Sequence, residues 1–272
     1  ADGHLTDYGE RLMPDDTKQI LECIYQMANN RDINHLLNTG DDDFSFSVPG
    51  LSRFRINAYK QRGSLAAVIR VIAFQLPDPS ELSIPDDVMQ TADYTKGMVL
   101  VTGSAGSGKS TTMACLIDRI NHSREGHIIT LEDPLEYLHR HHRCIVSQRE
   151  ICTDTANYLT SLRATLRQSP DVILLGEMRD HETIQTAMTA AETGHLVLSS
   201  LHTLGAANSI SRIIDVFEPA QQHQIIVQLS MVLQAVISQQ LIPDVNGKVI
   251  PVFEVMRLTP AIRNMIRDNK LH

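Results

Sequence analysis

The chain is short of positive charge. Its 272 residues carry 24 Lys+Arg against 32 Asp+Glu, a formal net charge of −8. A field of that sign repels a phosphate backbone, so nucleic acid is not an expected partner unless a local basic patch provides for it. No Lys/Arg stripe interleaved with aromatics is present either, which argues against a single-strand translocase. No apolar run reaches the roughly 18 residues that span a bilayer, and no signal-peptide pattern opens the chain. The expected location is therefore cytoplasmic, with any membrane contact peripheral. The four cysteines, Cys23, Cys115, Cys144 and Cys152, form no C-x-x-C pair, which excludes a zinc ribbon or redox dithiol and leaves four reduced thiols as the expectation. His139, His141 and His142 cluster, but no carboxylate or thiolate completes a metal spacing around them, and they read as a solvated face.

What is present is ordinary for a soluble globular chain, with 42% hydrophobic and 21% charged residues. The length suits about two domains of roughly 150 residues. Residues 1–76 read as a small α+β domain. It has a helix near Asp15–Met27, then strands at Phe44–Val48, Arg53–Tyr59 and Leu65–Ile72, with Pro49-Gly50 as a turn. Pro77, Pro79 and Pro85 mark 77–96 as a linker with a short helix at Asp86–Ala92. From Gly97 to the end, 97–272, the pattern is α/β. Short apolar strands at Met98–Thr102, Ile128–Leu131, Val172–Leu175 and Leu196–Ser199 alternate with helices near 109–122, 156–168 and 180–192, as in a parallel sheet with crossover helices. Pro219–Leu241 reads as one long helix, Asn246-Gly247 as a hairpin turn, Val249–Met256 as a strand and Pro260–Asp268 as a last helix.

Gly103-Ser104-Ala105-Gly106-Ser107-Gly108-Lys109-Ser110 fits G-x-x-x-x-G-K-[ST] in full, after a strand and before a helix. Such a loop turns successive N–H groups toward phosphate oxygens at the positive end of a helix. Lys109 can reach the β- and γ-phosphates of ATP, and the Ser110 hydroxyl can bind Mg²⁺. Hydrolysis also needs one carboxylate for metal-bound water and another to orient the attacking water. Glu132-Asp133-Pro134-Leu135-Glu136 and Gly176-Glu177-Met178-Arg179-Asp180 both follow strands. In an open α/β sheet that puts them on the edge that holds the loop. The alternative for Asp133 and Asp180 is a helix N-cap.

Gly103–Thr111, Thr130–Glu136, Gly176–Asp180 and Thr193–Thr203, in that order, resemble the secretion ATPase superfamily that powers type IV pili and type II secretion, most of all its PilT-like pilus retraction motors. Arg53–Gly63 and the terminal Ala261-Ile-Arg-Asn-Met-Ile-Arg267 extend the likeness over nearly the whole chain. The resemblance implies a RecA-like P-loop ATPase domain preceded by a PAS-like one. It also implies a homo-hexameric, ATP-hydrolysing motor that works with Mg²⁺ on an inner-membrane pilus platform protein, beside other pilus ATPases. Ser104–Thr111 would bind nucleotide. Glu177 would act on Mg²⁺ through water, Glu132 or Glu136 would orient or deprotonate the attacking water, and His195 and His202 would form a histidine box. Arg55 and Arg70 would be charge-neutralising fingers. Ser104-Ala105 stands where the family usually has Pro-Thr. By the same likeness the chain opens at Ala1-Asp2-Gly3 inside the first domain and stops where the family continues, so an initial strand and helix, and some terminal helices, are expected to be missing. A pilus-extension or type II secretion ATPase, an accessory retraction motor and a non-hydrolysing nucleotide-binding regulator are the competing readings.

Overall fold

The computed structural model describes residues 6–7, 9–72, 76–245 and 247–270, so Ala1, Asp2, Gly3 and Asn246 lie outside the described residues. The chain divides into two compact units, Ala1–Ala73 and Phe74–His272.

In the first unit α1 (Pro14–Met27) and α2 (Asn34–Thr39) precede β1 (Asp41–Val48), β2 (Ser52–Gln61) and β3 (Ser64–Ile72), an antiparallel sheet of order β1-β2-β3. Strand alternation sends Phe44, Phe46, Ile56, Ala58 and Leu65 to the face that packs on Leu21 and Tyr25 of α1 and Leu36 of α2. Asp42 is buried on that face, accepting from Tyr25 Oη at 2.8 Å and from Arg31 at 2.7 and 2.8 Å. Burial alone pushes the Asp42 carboxyl up, but the bonds from Arg31 and Tyr25 outweigh it and hold the group below the usual carboxylate range.

The second unit is built on seven strands: β4 (Gly97–Thr102), β5 (Gly126–Glu132), β6 (Cys144–Glu150), β7 (Val172–Leu175), β8 (Leu196–Leu201), β9 (Leu233–Pro243) and β10 (Val249–Arg257). Their order is β10-β9-β4-β8-β7-β5-β6, with every pair parallel except β9 and β10. The strands are apolar on both sides because helices cover both. Val99 and Val101 face α3 (Asp86–Met89) and α4 (Lys109–Ser123). Met98 and Leu100 face the layer of α5 (Tyr158–Thr165), α6 (His181–Glu192), α7 (Ala206–Asp215), α8 (Pro219–Val232) and α9 (Pro260–Arg267).

Two sequence expectations change. Residues 219–241 are not one helix: α8 stops at Val232 and β9 begins at Leu233, because Leu233, Ala235, Val236 and Ile237 are needed beside β4 in the sheet. The Pro-rich stretch 77–96, expected as a linker, sends Ile84, Val88, Met89 and Ala92 into the core under α4. The four cysteines are free, as expected, and no helix among the described residues is long and apolar enough to cross a membrane.

Candidate active site

Four parallel strands end on the same edge of the sheet, and each delivers part of one cavity of about 280 Å³. β4 runs into the glycine loop and β5 ends at Glu132. β7 leads through Gly176 to Glu177, and β8 leads to His202. This is the carboxyl edge where ligands sit in open α/β sheets. Ala105, Gly106, Lys109, Ser110, Glu132, Glu136, Glu177 and His202, all singled out in the sequence, line it together.

The loop is held down from below by β9. A Cβ on Gly103 would lie 2.2 Å from the Gln239 carbonyl oxygen, so no other residue fits there. Gly108 ends the loop at φ +84°, and Lys109 opens α4 directly after it. Lys109 Nζ donates to the carbonyls of Gly103 at 2.9 Å and Ser104 at 2.8 Å, which folds the ammonium onto its own loop. Burial pushes the Lys109 pKa down against the pull of Glu136 and Glu177. The Ser107 hydroxyl is buried with no hydrogen-bond partner. The ammonium and the helix N-terminus at the cavity are donors that a phosphate chain satisfies. The Ser110 hydroxyl beside Lys109 and the Glu177 carboxylate across the cavity are the oxygen donors suited to Mg²⁺.

Glu177 is only 12% exposed, and both its oxygens are engaged: Arg179 Nη2 lies 2.6 Å from one and His202 Nε2 lies 3.5 Å from the other. Glu132 is half-buried at the end of β5. Burial pushes its carboxyl up to about 7, with a hydrogen bond from Gln148 acting in the other direction. Glu136 is exposed at the rim. The sequence left Glu132 and Glu136 level; the structure separates them by depth.

Other expected residues lie elsewhere. His195 precedes β8, so it stands at the amino edge of the sheet, seven residues or ~23 Å of strand from His202. Its Nδ1 is 2.9 Å from the Ala190 carbonyl in the last turn of α6, so it caps a helix and lines no part of the cavity. Ser104, Ser107, Gly108 and Thr111 form the loop and first turn around the cavity without lining it, and the Thr111 hydroxyl meets Tyr137 Oη at 2.9 Å. Arg55 and Arg70 face each other across β2 and β3 of the first unit, and Arg55 is paired with Asp43 at 2.7 Å. Asp180 is the N-cap of α6, accepting from Thr183 N at 2.8 Å, as its alternative reading held.

Tyr158, His139 and Arg179 line the cavity although the sequence pattern assigned them no site role. Tyr158, at the start of α5, lays its hydroxyl against Gly176, where a Cβ would come within 2.7 Å. Burial, followed by the charges of Glu177 and Asp133, pushes its phenol well above the ordinary range. His139 was assigned to a solvated face; instead it lines the cavity, its Nδ1 is buried without a partner, and burial lowers its pKa to about 4. Arg179 is the third. Its place beside a strand-end glutamate was the available signal.

A glycine loop between strand and helix, facing acidic strand ends across a parallel sheet, defines a P-loop α/β protein. The model of the family described as type II/IV secretion system protein matches residues 19–269, and the chain belongs to that family. It is 45% identical to the type IV pilus retraction ATPase PilT of Pseudomonas aeruginosa, over 96% of this chain and 76% of that protein. It is 47% identical to a twitching motility protein of Neisseria gonorrhoeae, over 84% of this chain and 62% of that one. Among solved structures, the pilus retraction motor PilT with bound ADP superposes with a TM-score of 0.88 at 46% identity, covering 93% of this chain and 74% of its own. The fold class expected from the sequence, an α/β P-loop ATPase fold after a small antiparallel-sheet domain, is the one observed.

Proposed function

We propose that the chain is a subunit of an ATP-hydrolysing motor that retracts type IV pili, working as a cytoplasmic ring of six against an inner-membrane platform protein. The observation that carries the reading is the convergence of Lys109, Ser110, Glu132 and Glu177 on one cavity, in a chain 45% identical to a retraction ATPase.

In this reading Lys109 leaves its two loop carbonyls for the β- and γ-phosphates, and the loop N–H groups hold the phosphate chain. Ser110 would hold Mg²⁺ directly and Glu177 through water, and the ion would supply neutralisation of phosphate charge. Glu132 takes a proton from the attacking water as its oxygen bonds to the γ-phosphorus, and the bond to the bridging oxygen breaks to give ADP and phosphate. Glu132 suits this role better than Glu136. It is fixed at a strand end, and a carboxyl raised toward neutrality is a stronger base that is still partly ionised at pH 7. Glu136, at the rim, adds negative charge near Lys109. His202 touches Glu177 and can register the state of the γ-phosphate side. Arg55 and Arg70 remain proposed charge-neutralising groups, since a guanidinium can grip phosphate oxygens with two bonds.

The test is Mg²⁺-dependent ATP turnover with light scattering on the same sample. The wild-type chain should turn over ATP as a hexamer, and Glu177→Gln should lower kcat by about 10²-fold or more while ADP still binds. A Glu177→Gln variant with unchanged kcat would remove the site assignment. Normal pilus retraction in cells carrying that inactive variant as their sole retraction ATPase would remove the motor reading.

A further inference from the structure

Gln148 lies on β6, an edge strand of the sheet, and was given no role in the reaction above. Its side chain is tied on both ends. Oε1 accepts from the backbone N–H of His139 at 2.7 Å, and Nε2 donates to the carbonyl of Tyr137 at 2.9 Å. These two bonds settle which end of the amide is which. An oxygen cannot face the Tyr137 carbonyl, and an NH₂ cannot face the His139 N–H. The second proton of Nε2 is therefore fixed in direction. It points at Glu132 Oε1, 3.4 Å away. That distance is long for a neutral hydrogen bond, but active-site hydrogen bonds in ligand-free enzymes often are.

The same amide thus does two things. It pins residues 137 and 139, which follow the acidic segment, to the sheet edge. It also aims one donor at the carboxylate that the proposed chemistry uses. Only an amide with this span offers an acceptor to one backbone group and two donors to two oxygens. We propose that Gln148 is a positioning residue of the hydrolytic reaction, holding Glu132 in its orientation and favouring its ionised form. The inference rests on the assignment of Glu132 as the base.

A purely structural role and a positioning role differ in the pH profile of kcat. Gln148→Met loses every polar bond and adds no charge, so it removes both the tether and the donor aimed at Glu132. If Gln148 serves only as a tether, the variant lowers kcat by the same factor at every pH. If it serves Glu132, the acidic limb of the kcat profile moves to higher pH, because the ionised base is less favoured.

The experiment measures the pH profile of kcat, KM for ATP and the affinity for a fluorescent ADP analogue in the hexameric protein, for wild type, Gln148→Met and Glu132→Gln. The expected result is a fall in kcat of about tenfold at pH 7 for Gln148→Met, with its acidic limb moved to higher pH and ADP affinity unchanged within about twofold. Wild-type kcat in Gln148→Met, or a fall by the same factor at every pH, overturns the inference. Should melting curves show Gln148→Met to be poorly folded, Gln148→Asn, which keeps the amide but not its span, decides on the same profile. The Glu132→Gln arm separates the two levels. If it retains wild-type kcat, the base assignment itself falls. If it is inactive while Gln148→Met is normal, only the role of Gln148 falls.

Discussion

Glu132 is a residue kept at a cost to stability. Burial raises its carboxyl from 4.5 in an open chain to about 7 in the fold. A raised carboxylate pKa means that the folded state binds the extra proton between those values. Stability therefore falls as pH climbs from about 4.5 to about 7, and the loss is complete above that. The shift corresponds to roughly 2–4 kcal/mol. Glu132→Gln removes the ionisation, so its melting temperature should exceed wild type at pH 8 and approach it at pH 5, as read by calorimetry at both values. Equal differences at the two pH values would show that Glu132 is not the strained group. Many of the residues that line this cavity were legible one at a time, because the loop pattern and the acidic strand ends are local. Depth was not legible. Gln148, which bonds Glu132 and not Glu136, comes from β6 and lies 16 positions away from Glu132 in the chain.

Elements joined by charge carry the next scale. Arg263 sits in α9, four residues before Arg267. The structure divides them. Arg263 Nη1 donates to the carbonyls of Ser230 at 2.7 Å and Met231 at 2.9 Å, and Nη2 donates to Gln234 Oε1 at 3.0 Å, while Arg267 is exposed. Those carbonyls are in the last turn of α8, where a cation is favoured by the helix dipole. Arg263 thus clamps the junction where α8 becomes β9, the very boundary that periodicity missed. It was missed because β9 is covered on both faces. Its apolar run therefore has no period-2 signal and reads like a buried helix. The strands that alternate with helices were found because Gly and Pro punctuate them. Arg263→Ala should cost about 1–3 kcal/mol of stability, and Arg267→Ala less than about 0.5 kcal/mol, in urea unfolding. Comparable costs for the two would mean that the clamp carries no weight.

At the scale of the whole molecule, charge decides what the site requires. The cavity is lined by four carboxylates, Glu132, Asp133, Glu136 and Glu177, against two strong cations, Lys109 and Arg179, in a chain of net charge −8. Arg179 is already paired with Glu177, and His139, with its pKa lowered to about 4, adds no charge near pH 7. A nucleoside triphosphate brings about four more negative charges, and in a half-buried cavity like charges are screened far less than in water. Such a site holds ATP well only when outside cations share the load. Mg²⁺ is one source. The arginines proposed above as charge-neutralising groups, Arg55 and Arg70, would be a second. Two consequences follow from the same arithmetic. Without Mg²⁺ the affinity for a fluorescent ATP analogue should fall about tenfold or more, and Glu136→Gln, which removes one rim charge near Lys109, should recover part of that loss. Turnover per subunit should also rise with protein concentration if cations from neighbouring copies complete the charge balance. Mg²⁺-independent affinity would show that Lys109 and the loop amides suffice. Turnover that stays constant under dilution to monomers, with Mg²⁺ present, would show that one chain contains the entire catalytic complement.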